Sequence, residues 1–241
     1  MKIDIITLFP NMFTGFLNES IIGRAIKENK VEINLVNLRD FTHDKHGHVD
    51  DTPFGGGAGM VLMCQPVFDC IKSLRKENSL VIMMTPQGKT YSQGIAKELT
   101  LKEHIILLCG HYEGFDERIR SIVDLEISIG DYVLTGGEIP AMAITDSIVR
   151  LLDGVIVDDS HEFDSYSNWM LEHPQYTKPR VYEGLEVPEV LCNGNHKEIE
   201  KYKLKESLRR TYNRRPDLLE NHVLSDEEKV LLDEIIKEEK C

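Results

Sequence analysis

Residues 80–109 read LVIMMTPQGKTYSQGIAKELTLKEHIILLC, two short apolar runs on either side of a helix-like segment. The runs at residues 80–85 and 104–109 have the length and aliphatic composition of strands buried on both faces of a sheet. Residues 92–99 lie between them and have the spacing of a short helix. A strand, a helix and a strand in this order predict two parallel strands joined by a helical crossover.

The same alternation continues on both sides of this stretch. It adds strand-like segments at residues 2–9 and 31–38, and helix-like segments at residues 19–29, 65–77 and 137–152. Strands that alternate with helices are typical of a largely parallel sheet covered by helices on both faces. The first part of the chain is therefore predicted to be an α/β domain.

The overall composition limits the class of protein. The chain has 241 residues, of which 41% are apolar and 29% are charged, and its formal net charge is −13. These proportions are typical of a globular protein with one large domain or two modest ones. The acidity argues against a protein held to nucleic acid by bulk electrostatics, because phosphate binding needs clustered Lys and Arg, but it leaves room for a local basic face.

The sequence pattern also bears on where the protein works. No apolar run approaches the roughly 18 residues of a membrane span. The N-terminal apolar stretch contains Asp4, so we interpret it as a first strand and not as a signal peptide. The five cysteines are odd in number and include no Cys-x-x-Cys pair, which favours reduced thiols in a cytoplasm over a disulfide framework.

The composition changes after residue 152. Residues 153–172 contain six acidic residues and no Lys or Arg, and we interpret them as a mobile linker. Residues 197–215 then contain eight basic residues and three acidic ones, and the tail from Ser225 opens with a capping-box pattern and continues as an acidic helix. The predicted organisation is a domain over residues 1–158, a flexible linker over residues 159–174 and a small, mostly helical domain over residues 175–241.

A glycine-rich segment, residues 50–60, contains Gly55, Gly56, Gly57 and Gly59. Glycines allow close approach of the backbone to a ligand and permit positive φ. The spacing matches neither a P-loop nor a Rossmann fingerprint. Two interpretations stay open here: a loop that contacts a ligand or nucleic acid, and a loop that is merely flexible.

Three further loops follow strand-like runs, at residues 85–90, 109–118 and 128–140, and each contains glycine. Ligands of open α/β sheets bind beyond the carboxyl ends of the strands. Together the three loops could surround one adenosine-sized ligand. Tight turns are the alternative for each loop taken alone.

A polar segment before the glycine-rich loop combines histidines and carboxylates. These residue types suit several divalent ions, but their spacing matches no zinc pattern, so a solvated polar loop is favoured over a metal site. The side chains concerned are His43, Asp44, His46, His48, Asp50 and Asp51.

Two more features carry chemistry. Arg150 lies at the end of the apolar helix and Asp164 lies in the acidic linker, where a carboxylate could arrive together with a substrate; a solvated acid is the alternative. Residues 207–219 concentrate four arginines, which suit phosphates and base edges, although such a helix face is often only solvated. These arginines are Arg209, Arg210, Arg214 and Arg215.

Taken together, these segments resemble, nearly end to end, the bacterial tRNA (guanine-N1)-methyltransferase family, TrmD. The motifs that carry the resemblance are IITLFP (5–10), RDFT (39–42), VDDTPFGGGAGM (49–60), CGHYEG (109–114), SIGDYVLTGGE (128–138), HPQYTKP (173–179), SLRRT (207–211) and RRPDLL (214–219). The resemblance implies a SPOUT-class domain with a deep trefoil knot at its C-terminal end, followed by a helical tRNA-binding domain. It also implies a cytoplasmic homodimer with the active site at the subunit interface.

The implied reaction transfers a methyl group from S-adenosylmethionine to N1 of guanosine 37, in the anticodon branch of tRNA, with Mg²⁺ required. Asp164 then resembles the general base and Arg150 the residue that stabilises charge on the guanine. The implied cofactor residues are Thr85, Pro86, Gln87, Gly88, Gly110, Tyr112, Glu113, Ile129, Gly130, Asp131, Tyr132, Val133, Leu134, Gly136, Gly137 and Pro140. The expected tRNA contacts are Gly55, Gly56, Gly57, Ser207, Arg209, Arg210, Arg214 and Arg215, and Glu113 is also the candidate metal ligand.

The chain departs from the family pattern in two places. Phe54 stands where the family commonly has Tyr, so a hydroxyl contact is missing there. The segment between Arg150 and Asp164 is about one residue shorter than usual, which leaves Asp158 and Asp159 as alternative bases. Two other functions also remain to be separated: a non-catalytic RNA-binding protein on the same scaffold, and an enzyme that methylates the ribose 2′-hydroxyl.

Overall fold

A computed structural model describes residues 1–156 and 164–239 of the chain. The chain divides into two compact units, Met1–Val157 and Asp158–Cys241, and each is described by itself. Asp158 and Asp159, the alternative bases, lie outside the described residues. The predicted domain and linker boundaries stay predictions.

The first unit is built on a parallel five-stranded sheet, and the predicted α/β class is confirmed. Its strands are β1 (Lys2–Thr7), β2 (Glu32–Asn37), β5 (Ser79–Thr90), β6 (His104–Leu108) and β7 (Leu125–Ser128), with the short hairpin strands β3 (Asp50–Asp51) and β4 (Val61–Leu62) outside the sheet. The strand order is β2-β1-β6-β5-β7. This order places the ends of β5, β6 and β7, and the loops that follow them, side by side.

The described part of this unit contains five α-helices; four lie between strands, and α5 follows β7. They are α1 (Thr14–Asn18), α2 (Ser20–Lys27), α3 (Cys64–Leu74), α4 (Gln93–Thr100) and α5 (Glu138–Val149). Each helix predicted in this unit is present, with ends that differ by a few residues.

The central strands are buried on both faces, as their aliphatic runs predict. Ile105 and Leu107 of β6 belong to one core cluster, which includes residues of α2, α4 and α5. Ile106 and Leu108 belong to the opposite cluster, which includes residues of α3. The period of two in a strand therefore sends alternate side chains into two separate cores.

Strand β5 is longer than predicted and contains an irregularity. Met84 and Lys89 both pair with Ile127 of β7, so residues 85–88 bulge out of the ladder. A Cβ on Gly88 would lie 2.4 Å from the backbone nitrogen of Ile127, which leaves space only for glycine. The bulge moves residues 85–87 out of the β5–β7 ladder without ending the strand.

A buried polar network joins the starts of three strands. Asp4 of β1 is fully buried and accepts hydrogen bonds from Asn34 Nδ2 (3.0 Å) and His104 Nε2 (2.9 Å), and Lys2 Nζ lies 3.0 Å from its carboxylate. Burial by itself would raise the pKa of Asp4, but the hydrogen bonds from Asn34, Lys2 and His104 together lower it. Asp4 therefore stays ionised and holds β2 and β6 to β1.

The second unit is mostly helical. Its elements are a small hairpin, β8 (Val181–Tyr182) and β9 (Leu185–Glu186), and the helices α6 (His196–Arg214), α7 (Pro216–Glu220) and α8 (Asp226–Glu238). Its core contains Leu208 of α6, with Leu231 and Ile235 of α8. The predicted capping box at Ser225 is present, with the Glu228 carboxylate accepting from the Ser225 backbone nitrogen at 2.7 Å.

Part of the predicted linker packs within this helical unit. Met170 is 6% exposed and belongs to the same core cluster as Leu208. The backbone nitrogen of Leu171 donates to Thr211 Oγ1 at 3.0 Å. An acidic segment without a hydrophobic period gave no signal for this, because a single apolar residue in a loop produces no periodicity.

The Asp4 network yields a stability prediction. We expect Asp4→Asn to lower the free energy of unfolding by about 1–3 kcal/mol at neutral pH, because three donors lose a charged acceptor. The folded-state pKa is lowered, so this contribution is present above the carboxyl's unfolded pKa near 4 and is lost as the pH falls through the folded value.

Denaturant unfolding at several pH values measures the effect. Asp146→Asn is the matched control, because Asp146 is an exposed carboxylate on α5. An equal loss in both variants, or a loss that grows in acid, would contradict the assigned role of Asp4.

Candidate active site

Three segments surround a cavity of about 410 Å³: the bulge at residues 85–88 within β5, and the loops that follow β6 and β7. The loop predicted at residues 85–90 is therefore part of a strand. All but two of the predicted cofactor residues line it. The lining set contains Thr85, Pro86, Gln87, Gly110, Tyr112, Glu113, Ile129, Gly130, Tyr132, Val133, Leu134, Gly136, Gly137 and Pro140. The sequence positions are up to 55 residues apart, and the strand order of the sheet brings them together.

The two exceptions have separate explanations. Gly88 packs against the β7 backbone, where a Cβ would lie 2.5 Å from the carbonyl carbon of Glu126, so it supports the bulge from behind. Asp131 is exposed and lies outside the lining. The glycine motif was a correct signal for close approach at Gly88, but the approach is to a strand and not to the cavity.

Close backbone contact joins the loop after β6 to the loop after β7. The Gly137 nitrogen donates to the Gly110 carbonyl oxygen at 2.8 Å. A Cβ on Gly137 would lie 2.7 Å from Cys109 Cα, and one on Gly110 would lie 2.6 Å from the Phe115 ring. A side chain at position 137 would therefore clash with the backbone of the loop after β6, and one at position 110 would displace the Phe115 ring.

Two polar side chains that sequence reasoning did not single out lie beside Gly136. Glu138 is 2% exposed, and its Oε1 accepts from Thr7 Oγ1 at 2.8 Å. His111 lines the cavity, and its Nδ1 is buried without a hydrogen bond to any described residue. A Cβ at Gly136 would lie 2.5 Å from both Glu138 Oε2 and His111 Nδ1. Both residues stand inside the quoted motifs, yet only the fold places them across one glycine.

The charged side chains that line the cavity are Glu113, Glu117 and Arg120, an acidic balance. Hydrogen bonds with Glu126 and Glu117 raise the pKa of Arg120, so its guanidinium remains charged. The positive charge of Arg120 is therefore already balanced by the carboxylates of Glu117 and Glu126. The cavity rim as a whole is suited to a ligand that carries positive charge.

The glycine-rich segment forms the loop of the β3–β4 hairpin. Gly55, Gly56, Gly57 and Gly59 all have positive φ, between +76° and +138°. The loop abuts the cavity wall, because the Glu113 nitrogen donates to the Met60 oxygen at 3.0 Å and the Leu62 nitrogen donates to the Gly114 oxygen at 3.0 Å. Phe54 at its tip is fully exposed.

The polar segment before this hairpin is organised by Asp44. Its Oδ2 accepts from the backbone nitrogens of His46 (2.8 Å) and His48 (3.0 Å) and lies 2.8 Å from the His48 ring. The backbone hydrogen bond from His48 is the main reason that the pKa of Asp44 is lowered. Across residues 1–156 and 164–239, no three His, Cys, Asp or Glu side chains are grouped to hold a metal ion.

Arg150 and Asp164 belong to different units. Arg150 caps α5, and its backbone nitrogen donates to the Asp146 oxygen at 3.0 Å. Asp164 begins the described part of the helical unit, where its carbonyl oxygen accepts from the Ser167 nitrogen at 3.1 Å. Both side chains are partly buried.

The structure divides the basic segment of α6 into two groups. Arg209 donates to Glu206 and to Glu238 of α8, the second at 2.7 Å, and Arg215 donates to Asp217 at 2.7 Å and to the Tyr166 hydroxyl. Their charges are therefore balanced within the unit. The acidic residues of the tail indicate that such ion pairs form, but only the packing of α8 against α6 shows that Glu238 pairs with Arg209.

The other group lies along one face of α6. Lys203, Ser207, Arg210 and Arg214 are spaced four, three and four residues apart, which aligns them on a helix. Arg210 contacts a backbone carbonyl at 3.4 Å, and Arg214 is exposed. Beside this face is a cavity of about 670 Å³, whose lining includes Lys203, Ser207 and His173.

Within the two described ranges of the chain, no helix has the length and apolar character to cross a membrane.

The sequence of this chain is similar to known proteins over nearly its whole length. A sequence profile described as tRNA (Guanine-1)-methyltransferase TrmD matches residues 1–221. Proteins named tRNA (guanine-N(1)-)-methyltransferase from Bacillus cereus (strain AH820) and Bacillus anthracis (strain A0248) are each 56% identical over 240 residues. The protein of that name from Bacillus thuringiensis subsp. konkukian (strain 97-27) is equally similar, and in all three pairs the alignment covers 98% of both chains. The chain that builds this cavity therefore belongs to the tRNA (guanine-1)-methyltransferase family.

Proposed function

We propose that this protein transfers a methyl group from S-adenosylmethionine to N1 of guanosine 37 in tRNA. The observation that carries the proposal is the cavity formed by the β5 bulge and the glycine-bearing loops after β6 and β7, in a chain whose match to the methyltransferase family spans residues 1–221. The family's members are named for methylation of tRNA guanine, and position 37 is the specificity that the resemblance implies.

The cavity suits this methyl donor in size and charge. Its volume of about 410 Å³ falls within the range of small-molecule sites. Its glycines expose backbone groups to a nucleoside, while its acidic rim attracts a ligand that carries a sulfonium and an ammonium group. The cofactor-binding residues are those that line the cavity, and Gly88 packs the bulge at residues 85–88 against the backbone of β7.

Two side chains perform the proton and charge chemistry on guanine. Asp164 accepts the proton from N1 as the N1–methyl bond forms and the sulfur–methyl bond breaks, with the bonding pair left on sulfur. Arg150 stabilises the negative charge that develops on O6. The donor supplies a reactive methyl group, so the remaining task of the protein is to align the sulfur, the methyl carbon and N1.

The architecture around this site follows from the same proposal. The backbone contact between Gly137 and residues 109–110 supports a trefoil knot formed at the C-terminal end of the first unit. The enzyme acts as a cytoplasmic homodimer with its active site at the subunit interface. The knotted domain spans residues 1–158, the linker residues 159–174 and the helical tRNA-binding domain residues 175–241.

The tRNA anticodon branch is held by two surfaces. One is the hairpin loop with Gly55, Gly56 and Gly57, which abuts the cavity wall through Met60 and Leu62. The other is the face of α6 with Ser207, Arg210 and Arg214, where arginine can donate to phosphate oxygens. Arg209 and Arg215 support this surface indirectly, because their acidic partners fix the helices that present it.

Mg²⁺ fits this site as an ion held by few protein ligands. Magnesium commonly binds through one or two carboxylates and otherwise keeps water and substrate oxygens. Glu113 is an exposed carboxylate at the cavity, beside Gly59 of the hairpin loop, and is the residue that would hold the ion. When bound there, Mg²⁺ would supply positive charge close to the reacting guanine.

The central test identifies the methylated atom. We expect tRNA incubated with the protein and S-adenosylmethionine to yield 1-methylguanosine, measured by mass spectrometry of the digested nucleosides. A transcript with adenosine at position 37 is the control. A 2′-O-methylated nucleoside would assign a different reaction, and no methylation together with tRNA binding would indicate a non-catalytic RNA-binding protein.

The base is tested by Asp164→Asn. We expect the single-turnover rate of methyl transfer to fall by about 10²- to 10⁴-fold, because the amide cannot accept the N1 proton. Asp233→Asn, a change at an exposed carboxylate on α8, is the control. Calorimetric binding of S-adenosylmethionine should remain unchanged in both variants. A near-normal rate for Asp164→Asn would return the role to Asp158 or Asp159.

The proposed tRNA surface predicts a difference between arginines. Arg210→Ala and Arg214→Ala should each weaken tRNA binding and reduce the slope of log Kd against log salt by about 0.7–0.9, as expected for one lost phosphate contact. Arg209→Ala should chiefly lower the unfolding temperature, because it removes contacts between α6 and α8. Lys237→Ala is the control, and unchanged slopes for Arg210 and Arg214 would mean that this face is only solvated.

A further inference from the structure

The bulge at residues 85–88 is held by a side chain from outside β5. Arg120 lies in the 3-10 turn Glu117–Ile122, which precedes β7. Its Nη2 donates to Gln87 Oε1 at 2.7 Å. Gln87 and Arg120 both line the cavity, so this hydrogen bond connects two of its walls.

Arg120 is itself fixed at two other points. Its Nε donates to Glu117 Oε2 at 2.9 Å, and its Nη1 donates to the carboxylate of Glu126. Glu126 immediately precedes Ile127, the residue that pairs with β5 on both sides of the bulge. One planar guanidinium therefore ties the tip of the bulge to the strand on which the bulge rests.

The hydrogen bond also determines the orientation of the Gln87 amide. A guanidinium can only donate, so the amide must present its oxygen to Arg120. The amide nitrogen makes no hydrogen bond with a described residue, and it is the end left to donate to a ligand in the cavity. The ligand groups that could accept are carboxylate, hydroxyl and ring-nitrogen acceptors.

We propose that Arg120 is a positioning residue for S-adenosylmethionine. It fixes the conformation of the bulge and turns the amide nitrogen of Gln87 towards the cavity, so its effect on S-adenosylmethionine is exerted through Gln87. This inference rests on the proposed function of the cavity. The alternative of a direct contact with the donor's carboxylate is disfavoured, because Arg120 is already bonded to Glu117, Glu126 and Gln87.

The first experiment separates donor binding from catalysis. Arg120→Met should raise the Kd of S-adenosylmethionine about tenfold, as expected for one lost hydrogen bond, while kcat at saturating S-adenosylmethionine and KM for tRNA stay within twofold. Arg120→Lys keeps the charge but not the planar fork, and should fall between the two. Arg118→Met is the control, since Arg118 pairs with Asp116 and does not line the cavity.

The second experiment tests whether Arg120 acts through Gln87. Gln87 is exposed, so Gln87→Ala should keep the fold and should raise the donor Kd by a similar factor. The double variant should then be no weaker than the weaker single variant, because both changes remove the same contact. Effects on Kd that multiply, or an unchanged Kd for Arg120→Met, would overturn the proposal.

The proposed function of the protein and the role of Arg120 can be refuted separately. Wild-type protein that does not bind S-adenosylmethionine would refute the proposed function, and with it the role of Arg120. Wild-type protein that binds the donor and methylates tRNA, together with an Arg120→Met variant of equal affinity, would refute only the role of Arg120.

Discussion

The closeness of two backbones at Gly137 is the constraint on which the cavity depends. Gly137 sits where a Cβ would lie 2.7 Å from Cys109 Cα, and its nitrogen donates to the Gly110 oxygen. The start of α5 can therefore lie directly against the end of β6. Any larger residue at position 137 would push the loop after β7 away from the loop after β6, and the walls of the cavity would separate. Buried Glu138, next along the chain, then reaches Thr7 at the end of β1.

Sheet topology determines which loops meet at this point. The order β2-β1-β6-β5-β7 makes β5 the neighbour of both β6 and β7. In a parallel sheet all carboxyl ends lie at one edge, so the loops that follow β6 and β7 open towards the same space. The bulge in β5 adds a third wall, because it turns residues 85–87 out of the ladder while the strand continues to Thr90. Rigid strands thus support the segments that line the cavity.

Part of the acidity behind the net charge of −13 is paired with basic residues of the helical unit. Glu234 and Glu238 of α8 bind Lys205, and Glu238 also binds Arg209, so part of the acidity neutralises part of the basic segment. Hydrogen bonds with Lys205 lower the pKa of both glutamates, which keeps these pairs charged. Fewer basic side chains of residues 197–215 are therefore left unpaired than the count of eight suggests, and Arg210 and Arg214 are among those that no described carboxylate pairs with.

Local sequence determined the elements of the first unit and most of the cavity lining. Aliphatic runs identify strands, and glycine marks the places where the chain approaches a neighbour closely, so the strands at 80–85 and 104–109 and the loops after β6 and β7 could be identified from the sequence. The predicted loop at 85–90 is instead a bulge within β5. What glycine cannot indicate is the partner: Gly88 meets a strand, Gly110 meets the Phe115 ring of its own loop, and Gly137 meets the backbone of another loop. The pairing of Arg120 with Gln87, and of Arg209 with Glu238, joins residues about 30 positions apart. Such contacts depend on strand order and helix packing, which no local pattern encodes, and only the tertiary structure decided them.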